Sequence, residues 1–189
     1  MNLRKAITLL AILIISALVY AGCSSTARQP VTPERATPAA AATGDKGNAR
    51  GAATGDAAPD FRLALTDGSP VTLDELKGQP AVLVFWTAWC PVCKEEAPVI
   101  NELAANYQPR GVRVLGINIQ DSPARTAGGV KDFGIRYPVA RDADAAVARS
   151  YKVTGTPTVV ILDRHGVVRY KDNAVPDDYA SRLDELLRE

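Results

Sequence analysis

The chain has 189 residues, 47% hydrophobic and 23% charged, enough for one globular domain with its own core and too few for a large multidomain enzyme. Its 22 Lys and Arg against 21 Asp and Glu leave a net charge of +1, which excludes the basic footprint that holds a nucleic-acid backbone. With three cysteines and one histidine, a protein-only four-ligand zinc site would consume every one of them, Cys23 included, so any chemistry rests on very few soft side chains.

Arg4 and Lys5 precede an apolar run from Ala6 to Tyr20 that is broken only by Thr8 and Ser16 and ends in Ala21-Gly22-Cys23-Ser24-Ser25. The run is shorter than the roughly 20 apolar residues of a spanning helix, and it reads as an export signal. Its small-small-Cys ending resembles the bacterial lipobox, with Tyr20 standing where that motif prefers Leu or another aliphatic residue. The resemblance implies that residues 1–22 are a lipoprotein signal peptide and that Cys23, diacylated, becomes the first mature residue. The alternatives are an uncleaved anchor and ordinary secretion after a nearby cleavage. All three place the rest of the chain outside the cytoplasm, and two or more acyl chains make anchoring durable. From Ser24 to Ala58, 25 of 35 residues are Ala, Thr, Gly, Pro or Ser. Such a stretch buries too little apolar surface to offset its ordering entropy, so residues 23–57 are expected to be lipid attachment site and disordered tether, holding a domain of residues 58–189 on the order of 30 Å from the membrane.

Within the domain, Phe61–Leu65 and Val71–Leu73 flank the turn signal Thr66-Asp67-Gly68-Ser69 and predict an N-terminal β-hairpin. Asp74–Gly78 reads as a single helical turn stopped by glycine. The continuous apolar run Ala81–Trp86 predicts a strand buried on both faces of a sheet covered by helices. Pro91 opens a helix reaching Tyr107, with Pro98 expected to kink it, and Val112–Asn118 follows as a strand, completing a right-handed crossover. A weaker helix is expected over Thr126–Phe133, a short strand over Tyr137–Ala140 and a helix over Ala143–Tyr151. Strands Thr158–Leu162 and Val167–Tyr170 are joined by Asp163-Arg164-His165-Gly166, and Asp177–Leu187 closes the chain as an amphipathic helix.

Trp89-Cys90-Pro91-Val92-Cys93 falls where the buried strand hands over to a helix. A thiol there faces unpaired N–H groups and the positive end of the helix dipole, which favour thiolate, so Cys90 is the candidate nucleophile. Cys93, on the first turn, is placed to attack a mixed disulfide at Cys90 and release the reduced partner. The plainer readings are half a zinc site, which lacks further Cys and His ligands, and an inert staple, which across so short a loop would constrain little.

Together with Ala58-Pro59-Asp60-Phe61, Val82–Pro98 around the two cysteines, and Thr154-Gly155-Thr156-Pro157-Thr158, this motif resembles the thioredoxin superfamily, and within it the membrane-tethered thiol-disulfide oxidoreductases of the TlpA and ResA type. The resemblance covers about Ala58 to Glu189. It implies an α/β thioredoxin-like fold, a central mixed sheet flanked by helices with the hairpin as an N-terminal extension. It also implies that Thr156-Pro157 is a cis-proline loop that packs on the cysteines and presents backbone groups to an extended substrate, with Trp89 on the active-site rim and Trp86 in the core. Glu96, one turn after Cys93, matches a glutamate that can tune the pair by like-charge repulsion or relay a proton. A solvated first-turn acid is the equal alternative. Cytoplasmic thioredoxins carry a buried aspartate at the position of Val84, so that proton acceptor is missing here.

The expected function is therefore an extracytoplasmic, lipid-anchored thiol-disulfide oxidoreductase, reducing rather than oxidising as the resemblance to tethered reductases implies. The absence of a histidine between the cysteines also argues against a strong oxidant. Its expected partners are protein thiol or disulfide clients, apocytochrome c by analogy, and a membrane electron donor. No cofactor and no metal are called for. One rival is a thiol peroxidase, since Thr87 stands three residues before Cys90 as in peroxiredoxins, although Leu83 replaces their proline. The other is a Sco-like copper-binding module, which would need three residues between the cysteines and a histidine ligand.

Overall fold

The computed structural model describes residues 50–189. Seven strands form one mixed sheet: β1 (Arg62–Leu65), β2 (Pro70–Thr72), β3 (Ala81–Trp86), β4 (Arg113–Ile119), β5 (Val139–Asp142), β6 (Thr158–Leu162) and β7 (Val168–Asp172), in the order β2-β1-β5-β4-β3-β6-β7. β3, β4 and β5 run parallel, and β1, β2, β6 and β7 join antiparallel to their neighbours. The helices are α1 (Leu73–Leu76), α2 (Pro91–Tyr107), α3 (Pro123–Asp132), α4 (Ala146–Ser150) and α5 (Tyr179–Arg188). The expected mixed sheet flanked by helices, with a hairpin added at its edge, is the observed architecture.

β3 is the hub because every one of its six residues is buried. Its alternation sends Leu83 and Phe85 into a core with Leu73, Leu76, Val147 and Tyr151, and Val82 and Val84 into a second core with Ile100, Leu103, Leu183 and Leu186. Each large side chain so buried contributes about 1.5–3 kcal/mol relative to exposure. Packed between two cores and paired along both edges with β4 and β6, β3 holds its end in place, and with it the point from which the chain sets out towards Cys90.

The boundaries that shifted have local causes. The strand expected over Tyr137–Ala140 is Val139–Asp142, because Pro138 has no N–H to give a ladder and offers only its carbonyl, to Gly116. The helix expected from Ala143 starts at Ala146. Ala145 is left-handed at φ +57°, and the buried Asp142 carboxylate accepts the N–H groups of Val147 and Ala148. α3 begins three residues before its expected start because Ser122 caps it and Pro123 supplies the first turn. α2 continues as one helix through Pro98, which lies on its exposed side. Residues 50–57, expected by composition to belong to the tether, pack on the domain instead. Ala52 is buried, and Gly55, Asp56 and Ala58 exchange backbone hydrogen bonds with Gly166 and Val168. Those residues gain order from a sheet edge remote in sequence, which composition does not reveal. The signal segment, Cys23 and the rest of the tether lie outside the described residues. Among the described residues no helix is long and apolar enough to cross a membrane.

α3 crosses the end of β3 at very short range. A Cβ added to Gly129 would lie 2.7 Å from the Ala88 Cβ and 2.8 Å from the Trp86 ring. In an open helix Gly→Ala stabilises by roughly 0.5–1 kcal/mol, whereas overpacking costs about 1–3 kcal/mol. Gly129→Ala is therefore expected to lower the urea midpoint at unchanged m-value, while Gly128→Ala, with open space around its Cβ, leaves the midpoint unchanged or raises it.

Candidate active site

β3 delivers the chain through Thr87, Ala88 and Trp89 to Cys90, which is the N-cap of α2 with extended backbone (φ −86°, ψ 110°) and Pro91 behind it in the first turn. The N-cap position turns the Cys90 side chain back over the helix end. Its Sγ accepts the Cys93 backbone N–H at 3.1 Å, and the two cysteines are joined by a disulfide with Cα atoms 5.2 Å apart. The pair thus has the proximity and the helix-end donor expected from the spacing. Both cysteines are only 4% exposed, so their access to partners is equal in extent.

Thr156 and Pro157 reach this site through strand pairing. β6 lies antiparallel to β3 with Thr158 opposite Phe85, so the residues preceding β6 arrive beside those following β3. The Thr156-Pro157 bond is cis, and the Thr156 carbonyl oxygen lies 3.2 Å from Cys90 Sγ. In the reduced protein a Cys90 thiol can donate to that carbonyl. Asn173, just past β7, donates from Nδ2 to the Pro157 carbonyl at 2.9 Å and steadies the loop from the other side. Trp89, 68% exposed, and Val92, 50% exposed, form an apolar rim, while Trp86 is buried as expected. Glu96 is half-buried on α2, one turn beyond Cys93, and Lys94 pairs with Asp132 of α3 at 2.9 Å. His165 stands in the β6–β7 turn, where its N–H donates to Asp163. Among the described residues no three His, Cys, Asp or Glu side chains converge as a metal site.

Sequence reasoning missed Asp121. It is 5% exposed, and its Oδ2 accepts the Ala88 N–H at 2.7 Å and the Asn118 side-chain amide at 3.0 Å. Asn118 in turn accepts the buried Thr126 hydroxyl at 2.8 Å. The register that places Trp86 opposite Asn118 carries this network beneath the residues leading into Cys90. From sequence Asp121 is only a polar residue before a Ser-Pro helix start, and its role appears once β3 and β4 are paired. Because Oδ2 takes both hydrogen bonds, an asparagine carbonyl can replace it, so Asp121→Asn keeps the geometry. Asp121→Ala leaves the Ala88 N–H and the Asn118 amide unpaired at a cost of about 1–3 kcal/mol each. The expected thermal midpoints are near wild type for Asn and several degrees lower for Ala, read by calorimetry.

The Redoxin family model matches residues 53–187. The chain is 33% identical over 117 residues to the thiol-disulfide oxidoreductase ResA of Geobacillus thermodenitrificans, a match covering 62% of this chain and 67% of that relative. A solved structure from Chlorobium tepidum, described as a thiol:disulfide interchange protein of the DsbE type, superposes with a TM-score of 0.63 at 28% identity, covering 72% of this chain and 96% of the other. A secreted Mycobacterium tuberculosis disulfide oxidoreductase, homologous to E. coli DsbE, superposes with a TM-score of 0.58 at 26% identity over 68% of this chain and 96% of that one. With the two-cysteine helix start, the cis-proline loop and the seven-stranded sheet in place, the chain belongs to the Redoxin family and groups there with the TlpA/ResA-like thiol-disulfide oxidoreductases of thioredoxin fold.

Proposed function

We propose that this protein is an extracytoplasmic, lipid-anchored reductase that passes two electrons from the Cys90-Cys93 dithiol to disulfides in protein clients. The observation that carries the reading is the position of Cys90 Sγ between the Cys93 N–H at 3.1 Å and the Thr156 carbonyl at 3.2 Å. The N–H and the helix end stabilise a Cys90 thiolate, while the carbonyl favours the protonated thiol. No cationic side chain stands between the cysteines, where Val92 and Pro91 are the intervening residues. The reduced form is therefore not overstabilised, which is the condition for a reductant.

In this reading the Cys90 thiolate attacks a client sulfur, forming a mixed disulfide and releasing the first client thiolate. Cys93, deprotonated, then attacks Cys90 Sγ, expels the second client thiolate and closes the protein disulfide. The client disulfide gains two electrons and the dithiol loses two. Trp89 and the backbone of Thr156 seat the client beside Cys90, and Glu96 is the nearby acid that can exchange a proton with the pair. A membrane donor of dithiol equivalents must then reopen Cys90-Cys93, because the chain carries no nucleotide-binding motif. The ResA relatives and the apolar run ending at Cys23 support tethering outside the cytoplasm, and the ResA likeness supports the haem-attachment cysteines of apocytochrome c as client thiols.

Trapping tests the roles directly. In full-length protein, Cys93→Ser is expected to accumulate mixed disulfides through Cys90, seen on non-reducing gels and by mass spectrometry, whereas Cys90→Ser accumulates none. Trapping by Cys90→Ser with none by Cys93→Ser overturns the assignment. Equilibration with glutathione is expected to place the pair nearer the roughly −270 mV of thioredoxin than the roughly −120 mV of strong periplasmic oxidants, and a value at the latter end overturns the reducing direction. Rapid peroxide consumption by Cys93→Ser would establish the thiol-peroxidase reading in its place.

A further inference from the structure

Beside the disulfide runs a groove of about 370 Å³ whose walls include Trp89, Ile119, Val153 and Thr156, with Arg125 and Arg149 among its lining residues. We infer that this groove selects client segments carrying acidic residues next to the reactive cysteine, with Arg125 and Arg149 as the specificity-determining groups. The inference rests on the proposed exchange with protein clients and adds the chemical class of the client.

Charge is what singles out the occupant. Arg125 is exposed, and its nearest carboxylate is Asp121, 3.9 Å away and already committed through Oδ2 to Ala88 and Asn118. Arg149 is exposed and has no carboxylate partner among the described residues. Its Nη1 donates to the Asp144 backbone carbonyl at 2.6 Å, which fixes the guanidinium while leaving its other donors free. The Asp144 carboxylate is outside the groove lining and accepts the Ala146 N–H. Two arginines therefore line the groove with a single buried carboxylate, in a chain whose overall charge is only +1. The fork of donors on each can pair bidentately with a carboxylate, the anionic group that unmodified peptide clients carry.

The walls are also built rather than incidental. Among the described residues three non-glycine residues have left-handed backbone. Gln120 (φ +56°) and Ala145 (φ +57°) line the groove, and Lys152 (φ +50°) immediately precedes Val153. Each such residue costs free energy that the surrounding fold must supply, and such costs concentrate at ligand-contacting positions. Thr87 lines the same groove, is 5% exposed, and its hydroxyl has no hydrogen-bond partner.

The test uses full-length protein, reduced and desalted in detergent, and three synthetic peptides with one intramolecular disulfide each, whose residues flanking the first cysteine are Glu, Gln or Lys. Second-order reduction rates are divided by the rate of each peptide with dithiothreitol, which removes the peptide's own reactivity. The expected order is Glu above Gln above Lys, with Glu over Gln by roughly three- to tenfold at low ionic strength and approaching parity at high salt. Arg125→Gln with Arg149→Gln is expected to erase the ratio, and Arg125→Glu with Arg149→Glu to invert it towards Lys. Equal normalised rates for the three peptides, or a Glu preference that survives the double substitutions, overturns the inference while leaving exchange intact. Failure to reduce any of the three peptides overturns the exchange reading and this inference with it.

Discussion

The site exists because β3 and β6 pair antiparallel while α2 starts at the end of β3. That pairing brings Thr156, 66 positions away in sequence, to within 3.2 Å of the first sulfur. The helix start supplies a donor, the strand start supplies a carbonyl, and Cys90 lies between groups that favour opposite protonation states. No single residue sets the behaviour of this sulfur. Its setting comes from the register of a strand buried on both faces, which the apolar contacts on each side of the sheet hold in place.

A second constraint holds the short connection from β3 to the sulfur. Thr87 to Trp89 belong to no helix or strand and would wander without external partners. The Asp121 carboxylate takes the Ala88 N–H from one side, and α3 presses Gly129 against Ala88 and Trp86 from the other. Both depend on β4 and the helix after it, so the segment from the end of β4 through α3 also clamps the loop that leads to Cys90. The buried Asp121 carboxylate, in the connection after β4, acts on the Ala88 N–H and does not occupy the position of Val84.

The parts legible in the sequence were those set by local chemistry. Ala81–Trp86 announced a doubly buried strand, Asp67-Gly68 a hairpin turn, and Cys90-Pro91 a helix start, and each stands where expected. Thr156-Pro157 was placed by family resemblance rather than by physics, since nothing local tells an X-Pro bond which isomer its fold will hold. Elements set by remote partners were not legible. Asp142 holding back α4, residues 50–57 lying along Gly166–Val168, and Asp121 reaching Ala88 all require knowing which strands are neighbours. Periodicity encodes which face of a strand is apolar, and it does not encode the polar residue that a neighbouring strand will bring alongside.

The equal burial of the two cysteines bears on how the nucleophile is chosen. If access alone decided, Cys90 and Cys93 at 4% exposure each would react alike. The difference is directional. Both cysteines belong to one buried cluster with Trp86, Ala97, Phe133 and Val139, but Cys90 alone carries the N-cap geometry and sits beside the Thr156 carbonyl, with the exposed Trp89 next to it in sequence. An incoming disulfide must lie in line with the attacked bond, and the open groove borders Trp89 and Thr156. In the proposed exchange, a client backbone lying along Thr156 would therefore come to Cys90 before Cys93. What separates the two sulfurs is thus their neighbours and not their burial: the groove is lined by Trp89 and Thr156, which adjoin Cys90 in sequence and in space.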